Sequence, residues 1–320
     1  MKPPYEITSK ILELISSISE QIGEIKAAKL TKPPAELRRK NRIKTIQSSL
    51  EIEGNNLTIK QVTDLINDQR IIAPLNDIVE VKNAIAVYSG LNSFNPKSVS
   101  SLCNAHKLFM KGLIKNPGQF RQTSVGIAKG SNITHVAPPG ERVPFSINDL
   151  FEYLENDDDL PLIKSCVFHY EFEFIHPFTD GNGRMGRLWQ TVILRDYSKV
   201  FEFLPVEKLI KDRQQDYYSA LGKSDNLGNS TVFIEFMLEI IHSALSELLT
   251  IQNLTLSDEG RIELFAEIIG SSEFSRQDYL RHNKDISSAT ASRDLKKAVE
   301  KGILVKTGDK RLTRYKFKGF

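Results

Sequence analysis

Three hundred and twenty residues exceed the usual size of one compact domain, so two or three units are expected. With 40% hydrophobic and 26% charged residues, the chain has the composition of an ordinary globular protein, which excludes a disordered or low-complexity polymer. The net charge of +3 hides an uneven distribution: residues 281–320 hold 12 Lys/Arg against 4 Asp/Glu, leaving −5 for the preceding 280, so basic character is local and terminal.

The opening "MKPPYEITSK" lacks a basic segment followed by an apolar run, and no later stretch is long enough to span a bilayer, so a location in the cytoplasm away from membranes is expected. Cys103 and Cys166 lie far apart among apolar neighbours and read as reduced core residues. Ile11, Ile15, Ile18, Ile22 and Ile25 recur at steps of 4 and 3. That is an amphipathic helix whose seam packs on the body or on a second copy. "TKPP" breaks it, and a second helix runs to Gly54, a natural C-terminal glycine.

Helical patterns follow at "TIKQVTDLINDQR", "DIVEVKNAIAVYSGL" and "SVSSLCNAHKLFMKGLI". The character then changes to a Gly/Pro/Ser/Thr-rich stretch with β-like pieces "SVGIA" and "NITHV", a hairpin or flap. Helices resume at "SINDLFEYLEN", "LPLIKSCVFHYEFEFI", "RMGRLWQTVILRDYS" and "TVFIEFMLEIIHSALSELLT". The terminal segment reads as three short helices and a basic hairpin around a Gly-Asp turn, the plan of a winged helix-turn-helix. Leu295, Ala298 and Val299 form the core side of its third helix, which Gly302 ends.

The stretch "HPFTDGNGRMGR", His176 to Arg187, concentrates groups that stability alone does not favour. Pro177 restricts His176 to extended backbone, so the preceding helix ends there. Gly181, Asn182 and Gly183 form a turn into a new helix, whose free N–H groups make an anion site. Arg184 and Arg187, three apart, lie on one face of its first turn. Positive charge there opposes the helix dipole, so something must compensate, and a polyphosphate would. Asp180 beside a phosphate needs a hard cation between them, and Mg²⁺ held by one carboxylate plus substrate phosphates fits. His176 has the pKa for proton abstraction near neutrality. Together these groups describe nucleotide phosphoryl chemistry. No G-x-x-x-x-G-K-[ST] occurs, which excludes a P-loop.

The stretch matches every fixed position of HPFx[DE]GNGRxxR, and the chain here resembles the Fic family. "PGQFRQTSVGI", "THVAPPGERVP" and "YYSALGKSDNLGNSTVFIEFML" extend the resemblance to roughly residues 35 to 245. It implies a mainly α, Fic-type helical bundle with a β-hairpin flap. Its expected organisation is an N-terminal helical region over 1–95, a catalytic core over 96–250 and the winged helix over 256–320. It further implies AMP transfer from ATP to a Ser, Thr or Tyr hydroxyl of a target protein. His176 would be the base and Asp180 the ligand of Mg²⁺ bridging the α- and β-phosphates. The N–H groups of Gly181 to Gly183 and the Asn182 side chain would stabilise the α-phosphate. Arg184 and Arg187 would bind the β- and γ-phosphates, and Tyr217 and Tyr218 would contact the adenine end, with plain helix packing as the alternative. The flap residues Ser131, Asn132, Ile133, Thr134, His135 and Val136 would pair with an extended target segment.

"SLEIEGN" matches the family's inhibitory [ST]xxxE[GN] through Ser49, Glu53 and Gly54, on a helix spanning about 36–54. Ile43, Ile46 and Leu50 share one face, and Glu53 is the next position on it. A carboxylate continuing an apolar stripe needs a cationic partner. The resemblance names Arg187, which would be withdrawn from the γ-phosphate. Two other readings stand beside a self-inhibited transferase: an enzyme in which Glu53 positions water to remove AMP, and a DNA-binding regulator that only senses nucleotide. For the basic tail, Arg293, Lys296, Lys297 and Lys301 would neutralise DNA phosphates while Ser287 to Thr290 reach base edges, or the unit docks a protein. Self-modification and a homodimer are further expectations.

Overall fold

The computed structural model describes residues 2–27, 33–124, 126–129, 132–256, 258–270, 272–283, 286–309 and 313–318, with backbone alone at 126–129, 132–136, 252–256 and 267. Two units divide the chain, Met1–Leu245 and Ser246–Phe320.

The first unit is helical. Helix α1 (Ser9–Ala27) buries Ile11, Ile18, Ile22 and Ile25, while Ile15 is only half-buried. Thr8 Oγ1 donates to Glu235 at 2.6 Å, and Ser17 Oγ meets His242 Nε2 at 3.0 Å. The isoleucine seam is thus buried within the chain and is not open to a second copy. Helix α2 (Ala35–Ile52) buries Ile43, Ile46 and Leu50. Gly54, at φ 96°, turns the chain into α3 (Ile59–Ile66), which starts at a Thr58–Gln61 capping box. Helices α4 (Leu75–Ser89) and α5 (Val99–Phe109) follow. The last stops short of the expected range, ahead of Gly112 at φ 77°.

The flap is an antiparallel pair, β1 (Gly126–Lys129) and β2 (Asn132–Val136), with a register shift between Ile127 and Ala128. Helix α6 (Val143–Asn156) carries Pro144 in its first turn, where a missing N–H costs nothing. Helices α7 (Pro161–Ile175) and α8 (Asn182–Tyr197) pack on each other. They bring Cys166, Phe168, Phe172, Met185, Leu188 and Trp189 together in the core. Cys166 is buried and free, but Cys103 is only half-buried, contrary to expectation. Helices α9 (Val206–Asp212), α10 (Gln214–Leu227) and α11 (Thr231–Leu256) complete the helical sequence.

The second unit has its own core of Phe265, Phe274, Tyr279, Leu295, Leu304 and Phe317. Its helices are α12 (Asp258–Ile269), α13 (Arg276–His282) and α14 (Ser288–Glu300). An antiparallel pair, β3 (Leu304–Thr307) and β4 (Arg314–Phe317), follows, and Phe274 bridges Tyr315. Among the described residues no helix is long and apolar enough to cross a membrane.

Candidate active site

The turn between α7 and α8 begins where Pro177 ends α7. His176 is not extended, as the proline alone suggested, but left-handed, at φ 51° and ψ 60°. A non-glycine residue there costs of order 1–3 kcal/mol and persists only when its surroundings over-determine it. Arg121 does so. Its buried guanidinium donates to the carbonyls of His176 (2.7 Å), Ile175 (3.0 Å), Thr123 (2.6 Å) and Pro138 (2.7 Å). Its backbone N–H bonds Pro177 O at 2.9 Å. One cation therefore fixes the backbone of the candidate base and both roots of the flap.

The loop closes on Asn182. Its side-chain oxygen accepts the Phe178 N–H at 2.8 Å and its amide donates to Phe178 O at 2.9 Å. This side chain is used to hold the loop and is 2% exposed, so it does not face a phosphate as expected. His106 stacks on Phe178 at 3.6 Å. His106 Nδ1 accepts the Gly118 N–H at 2.7 Å, which leaves Nε2–H to donate to Asp180 O at 3.0 Å. Burial pushes its pKa down to about 4, so the ring is a neutral strut. Gly181 sits at φ 82°, and a Cβ there would stand 2.7 Å from Met110 Sδ. Above this support the first N–H groups of α8 lack intrahelical acceptors.

Arg184 and Arg187 are both 3% exposed and meet carboxylates. Arg187 Nη2 donates to Glu53 Oε1 at 2.6 Å and to Ser49 O at 3.0 Å, while Nε reaches Ser49 Oγ at 3.3 Å. Burial pushes the Glu53 pKa up, but the charge and hydrogen bond of Arg187, with smaller help from Arg184 and His176, hold it below the usual range. Gly183 permits the approach, because a Cβ at that position would lie 2.5 Å from Glu53 Oε1. Only 1% of the Arg187 side chain is accessible against 30% for Glu53, so the carboxylate sits at the mouth.

Arg184 bonds Glu80 at 2.9 Å and Asp180 at 3.2 Å. Glu80 also accepts from Asn55 Nδ2 at 2.9 Å, which ties it to the turn after α2. Sequence reading missed Glu80, Arg121 and His106. Periodicity carries no sign of a partner 104 or 55 residues away, although the stretch "PGQFRQTSVGI" contains Arg121. The positive charge at the start of α8 is thus compensated by carboxylates where a polyphosphate was expected.

Tyr217 is 2% exposed, and its hydroxyl meets His169 Nε2 at 3.1 Å. It is helix packing and offers no face to an adenine, whereas Tyr218 is half-buried. Beneath Arg187 lies Glu173, whose pKa burial pushes up to about 8, with Arg187 opposing and Glu53 reinforcing. Of the flap residues, Asn132, Ile133, Thr134, His135 and Val136 form β2, and Ser131 lies outside the described residues. Among the described residues no group of three or more His, Cys, Asp or Glu could hold a metal. That is compatible with a cation held by Asp180 alone plus substrate oxygens, for which 59% of the Asp180 side chain is accessible.

A family profile described as the Fic/DOC family matches residues 96–194. A Fic family protein from Desulfovibrio desulfuricans has a solved structure similar to this one, with a TM-score of 0.76 and 40% identity. The match covers 100% of this chain and 99% of that one. The protein adenylyltransferase fic-1 of Caenorhabditis briggsae is 27% identical over 207 residues, 60% of this chain but 38% of the relative. A probable protein adenylyltransferase of Aquifex aeolicus is 28% identical over 218 residues, 61% of this chain and 67% of the relative. The chain thus spans well under half of the worm protein.

Proposed function

The chain belongs to the Fic family, and from that premise we propose that it transfers AMP from ATP to a hydroxyl of a target protein under restraint by Glu53. The observation that carries the reading is the Glu53–Arg187 pair at 2.6 Å, placed at the helix start that the phosphates would need. The adenylyltransferase names of the relatives support the same chemistry.

In this reading His176, held by Arg121, takes the proton of a Ser, Thr or Tyr hydroxyl. The hydroxyl oxygen forms a bond to the α-phosphorus as the bond from that phosphorus to the β-phosphate oxygen breaks, and pyrophosphate leaves. The N–H groups opening α8 face charge developing on the transferred group, in a site fixed before substrate arrives. Arg184 and Arg187 hold the departing phosphates once Glu53 withdraws. Asp180 would hold Mg²⁺, which supplies positive charge against the phosphates. An extended segment of the target pairs with β2 by strand addition, and a segment of the enzyme itself is a candidate for that place. Cytoplasmic location accords with the free cysteines.

Removal of AMP is a second reading, favoured by Glu53 standing against the turn after His176, where a Cβ on Gly183 would lie 2.5 Å from Glu53 Oε1. The experiment compares ATP labelled at the α- or the γ-phosphate, with Mg²⁺, alone and with cell lysate. Wild type is expected to label weakly, Glu53→Gly at least tenfold more, and His176→Ala not at all, with α-label only. Equal labelling by wild type and Glu53→Gly at equal concentration overturns the restraint. Label from the γ position overturns AMP transfer.

A further inference from the structure

Helix α14 of the second unit has faces of different charge. Ala291, Asp294, Leu295 and Ala298 turn inward. Asp294 forms a buried pair with Arg261, Nε at 2.7 Å and Nη2 at 2.8 Å, and Tyr279 adds a hydrogen bond at 3.3 Å. One of the few acidic groups of this basic segment is therefore internal and adds nothing to the surface. Lys297 pairs with Asp258 at 2.6 Å and Lys301 pairs with Glu259, both on α12. These two lysines, expected to meet phosphate, each have an acidic partner within the unit while half of each side chain stays accessible.

The remaining face differs. Ala289, Arg293, Lys296 and Glu300 fall within about one quarter of the helix circumference at 3.6 residues per turn, and all four are exposed. Arg293 has no ion-pair partner among the described residues, and Lys296 has only Glu300 at 3.7 Å, one turn toward the C-terminus. At the flank, Arg276 at the start of α13 donates to Ser292 Oγ at 2.9 Å, which adds a cation beside the N-terminal half of α14. Ser288, Ala289 and Ser292 keep that half low in profile, so nothing bulky holds a partner away. Strand β3 packs beside α14. Leu304 and Phe317 are opposed and buried in the core, so the alternate pairs Val305–Lys316 and Thr307–Arg314 point outward.

We propose that the face of α14 carrying Arg293 and Lys296, flanked by Arg276 and the outward cations of β4, docks in the major groove of duplex DNA. Three points favour this occupant. The exposed cations stand on a slim helix face, and the B-form major groove admits a helix. The A-form RNA groove is too deep and narrow to admit it. The helix–helix–hairpin order supplies a second set of cations beside the first, as phosphates on both sides of a groove require. The face offers mainly positive charge, so the binding is expected to be largely electrostatic and steeply salt-dependent.

The test uses the full chain and the fluorescence anisotropy of a labelled mixed-sequence duplex across a salt series. Wild type is expected to bind at low salt with affinity falling steeply as salt rises. Arg293→Ala/Lys296→Ala is expected to weaken low-salt binding at least tenfold and to lower the salt slope by about 2, close to one per lost phosphate contact. Lys297→Ala/Lys301→Ala removes the same formal charge from the adjoining stripe, where Asp258 and Glu259 already pair with the lysines, and is expected to weaken binding clearly less than Arg293→Ala/Lys296→Ala. Glu300→Ala is expected to bind modestly tighter. Thermal melts of each variant separate lost contact from lost fold. The proposal is overturned by no wild-type shift at low salt, by equal loss in the two double variants, or by tighter binding to an RNA duplex. An acidic protein that binds the same face while DNA does not would also overturn it.

Discussion

Arg187 holds its charge with 1% of its side chain accessible, which is tolerable only because Glu53 and the Ser49 carbonyl accept its hydrogen bonds. Glu173 is on the other side of the same guanidinium and has the opposite problem. Two carboxylates near one cation cannot both be fully compensated. Glu53 has the close contact, and Glu173 is held near a pKa of about 8 by burial and by Glu53. The folded state therefore keeps a proton that the unfolded chain releases above its ordinary value of 4.5. Stability contributed by this group falls as pH rises through that interval. Glu171 and Glu207, each pushed up to about 7 by burial, slope the same way. His169 (about 3) and His106 (about 4), depressed by burial, act on the acid side: the unfolded chain takes up protons below about 6.5, and stability falls there. Glu173→Gln keeps the shape and removes one of the three alkaline slopes. It is expected to melt a few degrees above wild type at pH 8, with the difference closing toward pH 5. Identical melts at pH 8 would mean that Glu173 is ionised in the fold. That Glu53 needs a cation was legible from its continuing an apolar helix stripe, and Arg187 as that cation only from the resemblance to the Fic family, whereas Glu173 read only as one more polar residue of a buried helix.

At the scale of elements, the α7–loop–α8 turn is held from outside itself. The sequence shows that α7 must stop, because Pro177 offers no N–H, and that α8 must begin after a glycine. It does not show that His176 turns left-handed, because the cause is Arg121, 55 residues earlier. Similar reasons explain the other differences. The Asn182 amide has an acceptor and a donor on Phe178, four residues back, that no motif spacing reveals. Helices with a clear 3.6 period were legible, while α9 and α10, short or polar on much of their surface, were not. Arg121→Lys tests the support. Lysine keeps the charge but cannot donate along four carbonyl directions, and charge-assisted bonds are worth about 1.5–3 kcal/mol each. The variant is expected to melt several degrees lower and, in a Glu53→Gly background, to label at least tenfold less. Its ATP affinity, measured by calorimetry, should change under about threefold, since Arg121 does not face the phosphate cradle. Loss of ATP affinity equal to the loss of labelling would make Arg121 a support of the cradle and not of His176.

For the whole molecule the consequential feature is that each unit has its own core. The second unit is small, and its core is built from Phe265, Phe274, Tyr279, Leu295, Leu304 and Phe317 around the buried Arg261–Asp294 pair. Its helices were legible because apolar residues recur at helical spacing, and its hairpin because a Gly-Asp turn separates β-rich runs. The pair was not, since Asp294 stands in a run of charged residues and looks like one more solvated position. Removing one member of such a pair leaves an uncompensated charge in an apolar setting, which costs about 3–5 kcal/mol. Asp294→Ala is therefore expected to lower the melting of the second unit by many degrees. Replacing both members with apolar residues, Asp294→Leu with Arg261→Met, should restore most of it, because the two desolvation costs vanish together. Calorimetry of the full chain would separate the cases if the units melt as distinct transitions. The Glu53→Gly labelling signal reports the first unit independently, and it should persist in Asp294→Ala at temperatures between the two transitions. If labelling and both transitions fall together, folding of the two units is coupled, and the terminal unit has a route by which DNA could influence Glu53.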